Sequence, residues 1–287
     1  MNADLARAVW HRLEIVNAVA YFSQECRDAS THLGLKGFWM GYFASRAAPM
    51  GPVGPGVVEA TFYNFHPDRV RRAVPDAWAL AEPPAIVAAR SNAAAEAIRR
   101  ILGDTDAETL AALVRPVAHE AIDRAGGEGR PLFAANREVA EPRDPVDALW
   151  QAATTLREHR GDGHVAVLTS VALDGCAAHV LFAATENVPA TLYLESRGWS
   201  LDDWAAASAR LAERGLLDGN GSPTAAGREL RQTIEQRTDE LAGAPYEAIG
   251  VDRIEALLSD VDPIVRRIAS TGEITFPNPM GLPSQQR

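Results

Sequence analysis

The chain has 287 residues, 47% of them hydrophobic and 23% charged, with a formal net charge of −10. That balance predicts a soluble globular protein with room for a sizeable core. It argues against general affinity for nucleic acid or anionic lipid, both of which an acidic surface repels at long range.

No stretch reaches the roughly 18 apolar residues of a membrane-spanning helix. The opening MNADLARAVWHRLE is amphipathic and has no apolar signal core. A cytoplasmic protein with no membrane partner is expected. Cys26 and Cys176 belong to no CxxC or Cys/His pattern and read as reduced, mostly buried thiols.

In chain order, apolar residues at mixed three- and four-residue spacing (Leu5, Val9, Leu13, Val16, Val19, Phe22) predict one helix over 4–33. GLKGFWMGYFASRAAPMGPVGPG then passes from an aromatic, apolar half to a rigid Pro/Gly loop, PMGPVGPG. VVEATFYNF fits helix or strand. HPDRVRRAVPDAW reads as a short helix opened by Pro67. Helices are expected at 84–102 and 105–124, the second kinked at Pro116. REVAEPRDP (137–145) reads as a linker.

Asp144 and Pro145 supply an N-cap and a first helical residue. Val146, Leu149, Trp150, Ala153 and Leu156 give the following helix its buried stripe. GDG at 161–163 is expected to end it. HVAVLTSVAL and CAAHVLFAAT read as two apolar helices hinged at Asp174-Gly175. Ser200, with Asp203 three residues on, predicts a capped helix buried through Trp204, Ala207 and Leu211. DGNGSP is a turn, and Thr224 opens a last long helix with an Arg231/Glu235 surface pair. FPNPMGLPSQQR is an extended tail. An offset of 111 residues aligns Phe22 with Phe133, Trp39 with Trp150 and Arg46 with Arg157, the trace of an internal repeat whose two halves could face each other across a pocket.

The expected fold is therefore mainly α. A helical domain covers 1–136, a second helical part with a winged-helix-like unit and a small β-wing covers 144–272, and 273–287 is the tail. The order "helix, RGLL, short polar turn, T-x-A-G-R-x-L" at about 196–242 resembles the C-terminal part of MarR-type regulators. The whole chain is similar to an actinobacterial family of about this length that carries a MarR-like winged helix-turn-helix. The resemblance implies DNA as a partner, with SLDDWAAASARLAERGLL as recognition helix and Arg210 and Arg214 as its basic residues. Asp202, Asp203 and Asp218 oppose phosphate there. Residues 151–287 carry 12 basic and 19 acidic side chains, against 16 and 19 in residues 1–150.

For chemistry, EHRGDGH (158–164) is the densest polar cluster. Its spacing matches no metal motif, so no metal is assigned, and Arg157, His159 and Arg160 suit the C-terminus of a helix. His179 sits in an otherwise apolar helix. Pro49, Pro52 and Pro55 delete the N–H donors that a phosphate loop would need. Arg46, Tyr63, Asn64 and His66 place a few polar anchors beside apolar Phe43, Met50 and Phe62, the mixture of a small-molecule site. The expected ligand site joins Arg46, Tyr63, Asn64 and His66 to Arg157, His159, His164 and His179, with no cofactor specified. The leading expectation is a small-molecule-binding, ligand-responsive regulator, with a homodimer as a further partner state. An enzyme using the same His and Arg residues on a repurposed scaffold, and a structural or interaction module, are the alternatives.

Overall fold

The computed structural model describes residues 3–282. Fourteen α-helices and two short 3-10 turns account for its regular elements. The expected helix over 4–33 is two helices, α1 (Ala3–Phe22) and α2 (Gln24–His32). Ser23 separates them with an extended backbone and a side chain that accepts from the Cys26 N–H. α3 (Gly37–Ala47) carries the aromatic run, and the Pro/Gly loop shortens to a few residues because Pro55 opens α4 (Pro55–Phe62). VVEATF is thus helical. α5 (Pro67–Arg71), α6 (Pro83–Leu102), α7 (Asp104–Arg124) and α8 (Pro131–Arg137) follow, with α7 running through Pro116 unbroken.

α9 (Pro145–Ser170) is the central helix, packed by α1, α6, α7, α8 and α13 (Ala225–Ile249). Asp144 caps it, its carboxylate accepting from the N–H groups of Val146 and Asp147. The GDG triplet does not end it. A Cβ on Gly163 would stand 2.8 Å from the Arg130 guanidinium, which donates to the carbonyls of His159 and Leu241. This glycine admits a neighbouring side chain rather than breaking the helix. EHRGDGH is consequently one stretch of helix interior, and Arg157, His159 and Arg160 do not sit at a helix end. HVAVLTS is the last part of α9, not a separate helix.

The chain bends by 96° into α10 (Gly175–Glu186). α10 is capped by Asp174 and backed closely on the N-terminal half: a Cβ on Gly175 would meet the Tyr63 carbonyl oxygen at 2.3 Å. α11 (Ala190–Arg197), the turn Gly198–Ser200 and α12 (Leu201–Glu213) follow, with Ser200 and Asp203 making a reciprocal capping box.

The expected β-wing is reduced to one antiparallel bridge, Leu217 to Pro223, and there is no strand among the described residues. Two features explain this. The Asp218 carboxylate gathers the N–H groups of Asn220 and Ser222 into a tight turn, and Pro223 has no N–H with which to extend a ladder. Thr224 then caps α13, and α14 (Val251–Ser270) closes the bundle against α1.

One large core draws on α1, α6, α7, α9, α13 and α14, from Leu5 through Trp150 to Leu282. A second, aromatic cluster joins Phe43, Phe62 and Phe65, and a third packs α10 against α12 through Val180, Leu181, Ala207 and Leu211. No single described helix is long and apolar enough to cross a membrane.

Candidate functional site

A cavity of about 470 Å³ lies between α1, α9, α10, α11, α13 and the segment Pro279–Gly281, and buried Glu14, Arg160 and His179 are on its wall. Its wall interleaves aromatic rings, Trp10, Tyr21, Tyr42, Phe182 and Tyr193, with charged side chains, Arg157, Arg160, Arg197, Arg231, Glu14 and Glu235. Arg160 lies over the Trp10 ring and Arg231 over the Phe182 ring. A cavity of this size is within the range of a small-molecule site.

The charges are held by a network rather than by water. Glu158, 1% exposed, takes both Nε (2.7 Å) and Nη2 (2.9 Å) of Arg46 and Nη1 of Arg157 (2.9 Å). Burial opposes ionisation of that carboxyl, but Arg157 and Arg46 outweigh it and hold it down at about 2. Arg157 also faces Glu14 at 3.3 Å. Burial raises Glu14 against the pull of Arg157. On the opposite side Asp239 and Glu235 gather Arg7 and Arg160, and Arg231 pairs with Glu235 at 2.6 Å.

Three imidazoles line the cavity, those of His11, His164 and His179. His164 Nδ1 shares a 3.0 Å hydrogen bond with the Thr238 hydroxyl, and burial pushes the ring down to about 4. His179 stacks on Tyr193 with ring centroids 4.3 Å apart. Burial first, then Arg197, holds it well below its ordinary value, and its Nε2 is buried without a hydrogen-bond partner. Asn64 Oδ1 and Arg197 Nε are further buried polar atoms on this wall without a hydrogen-bond partner.

Of the eight residues expected at a ligand site, Asn64, Arg157, His164 and His179 line this cavity. Arg46 lies on an adjoining cavity of about 330 Å³, whose wall also includes Tyr21, Phe38 and Tyr42. Tyr63 turns its hydroxyl to the Leu173 carbonyl at 2.5 Å. His66 caps α5 and stacks edge-on against Trp199. His159 packs on Phe133, and burial pushes it down to about 3. Sequence reasoning missed Trp10, Glu14, Arg197 and Arg231. Only Glu14 left a signal, a carboxylate within the apolar run of α1. Among the described residues no group of three or more His, Cys, Asp or Glu side chains is placed to hold a metal ion.

The α11–α12 segment is attached to the cavity wall. Arg197 ends α11, its side chain lines the cavity, and its carbonyl accepts from the His66 N–H at 3.0 Å. The Trp199 indole donates to the Asn64 carbonyl at 3.1 Å. The two basic residues expected at DNA are engaged within the chain. Arg210 pairs with Asp174 at 2.7 Å, and Arg214 donates to the carbonyls of Ala172 and Val171.

A sequence-family model described as a helix-turn-helix family matches residues 6–275. No curated protein and no solved structure matches the chain.

Proposed function

This chain belongs to that helix-turn-helix family, and on that premise we propose that it is a ligand-responsive helix-turn-helix regulator whose effector occupies the cavity behind the α11–α12 turn. The observation that carries the reading is the dual role of Arg197. Its guanidinium belongs to the cavity wall and its backbone to the hinge of the helix-turn-helix unit. An effector that alters the setting of Arg197 biases the position of α12, which is the differential contact that a switch requires. The MarR-type reading of the unit, with α12 as recognition helix and the bridged turn in the place of a wing, is part of this proposal.

The expected DNA affinity is low and electrostatic. Asp202 and Asp203 occupy the first turn of α12, where a groove-reading helix meets the duplex. Titrating a fluorescent random-sequence duplex at low salt tests the reading. Binding should weaken steadily with added salt, and Asp202→Asn, outside the capping box, should strengthen it. Absence of binding to wild type and variant alike, even at the lowest salt, would remove DNA as a partner.

The internal pairing of Arg210 and Arg214 favours a second reading, in which the unit serves as an interaction module and the cavity alone carries function. A protein that binds small molecules and never binds a duplex fits that reading.

A further inference from the structure

The cavity wall contains one cation that the described chain does not neutralise. Arg7 and Arg160 pair with Asp239 and Glu235, Arg157 with Glu14 and Glu158, and Arg231 with Glu235. Arg197 meets no carboxylate among the described residues. Its Nη2 donates to the Pro279 carbonyl at 2.7 Å, its guanidinium lies 4.6 Å over the Phe65 ring, and its Nε is buried without a partner. Arg197 is partly buried, and a guanidinium partly withdrawn from water without a counter-ion carries a cost that is relieved when an anion arrives. His179, 7% exposed, presents an unpartnered Nε2 on the same wall. In the neutral ring this nitrogen can carry the proton and donate it to an anion.

Apolar surface predominates in the second cavity, where Ala20, Leu33, Ile86, Ala89 and Trp150 line the wall beside Arg46, Arg90 and Glu158. Arg90 there is held by the Ser45 carbonyl and by the side-chain oxygens of Asn136 and Gln151. Tyr21, Phe38 and Tyr42 belong to the walls of both cavities, with the two tyrosine rings 5.3 Å apart. The two cavities therefore adjoin along an aromatic border.

We propose that the two cavities together accept a small amphipathic carboxylate, its anionic head on Arg197 and His179 and its apolar body carried past Tyr21 and Tyr42 into the second cavity. The inference rests on the ligand half of the function proposed above and is independent of the DNA half.

The test is displacement of the fluorescent probe 8-anilinonaphthalene-1-sulfonate from the full-length protein by decanoate, 1-decanol and inorganic phosphate. Decanoate should displace the probe, 1-decanol should be about tenfold weaker or worse, and phosphate should not compete. Arg197→Gln should weaken decanoate about tenfold with 1-decanol unchanged, and Arg197→Lys should recover part of the loss. Butyrate, hexanoate, octanoate and decanoate should bind wild type with rising affinity, a series that needs no variant to fold. Equal binding of alcohol and carboxylate overturns the proposal. So does competition by phosphate, a flat chain-length series, or an Arg197→Gln protein with unchanged decanoate affinity. A protein that binds decanoate but no duplex keeps this inference and loses the regulator. One that binds duplex but no decanoate does the reverse.

Discussion

The backbone N–H of His66 donates to the carbonyl of Arg197 across 3.0 Å, joining the loop after α4 to the last residue of α11. The same arginine lines the cavity through its side chain. The cavity wall and the turn before α12 thus share one residue. Trp199, bonded to the Asn64 carbonyl, makes a parallel tie.

That tie depends on close backbone approach at Gly175, where a Cβ would meet the Tyr63 carbonyl oxygen at 2.3 Å. Gly175→Ala should cost about 1–3 kcal/mol, because backbone rather than a flexible side chain must give way. Gly56→Ala, inside α4 where a Cβ meets nothing within 4 Å, should cost nothing and gain up to about 1 kcal/mol of helix propensity. Urea midpoints of the two variants check this. Equal midpoints would contradict the packing described.

Glu158 is the counter-ion for two buried guanidiniums, Arg46 and Arg157. Glu158→Gln keeps the shape and removes the charge, leaving both cations poorly compensated. A loss of about 3–5 kcal/mol is expected, the usual result of removing one partner from a buried ion pair. A loss below about 1 kcal/mol, the scale of an exposed pair, would show that water reaches this network.

Four histidines are held below their ordinary value of 6.5, by burial before anything else: His159 to about 3, His164 and His11 to about 4, and His179 well below. The unfolded chain takes up protons near pH 6.5, and the folded chain does not until much lower pH. Their contribution to stability is present above pH 6.5 and is lost as the pH falls through 6.5 toward 4. The limit is about 1.4 kcal/mol per pH unit for each proton taken up only by the unfolded state. Asp162, raised by burial to about 6, acts in the opposite sense below pH 6 and offsets one of the four. The guanidinium chloride midpoint should be lower at about pH 5 than at about pH 7.5, and His159→Gln should flatten that dependence. Equal midpoints for wild type would contradict it.

The helix starts were legible because a cap is local. Asp144, Ser200 and Thr224 each bond to N–H groups two or three residues on, as their spacing implies. The continuity of α9 through GDG was not, because it depends on Arg130 approaching from 33 residues upstream of Gly163. Asn64 and His179 were found as polar residues in apolar surroundings, and Arg157 and His164 through the dense polar cluster around residues 158–164. Arg197 and Arg231 gave no such signal, since each lies in ordinary surface-like sequence and becomes a wall residue only once α13 packs against α1 and α9 and α11 against α10. The wing was overestimated because RGLLDGNGSP specifies a turn but not the strands on either side of it.

Duplex affinity measured by fluorescence anisotropy at low salt, with and without saturating decanoate, tests the central claim most directly. The account predicts salt-dependent binding that decanoate shifts by about fivefold or more, the lower range of allosteric coupling, and that decanoate no longer shifts in Arg197→Gln. Duplex affinity identical with and without bound decanoate in the wild-type protein would contradict it.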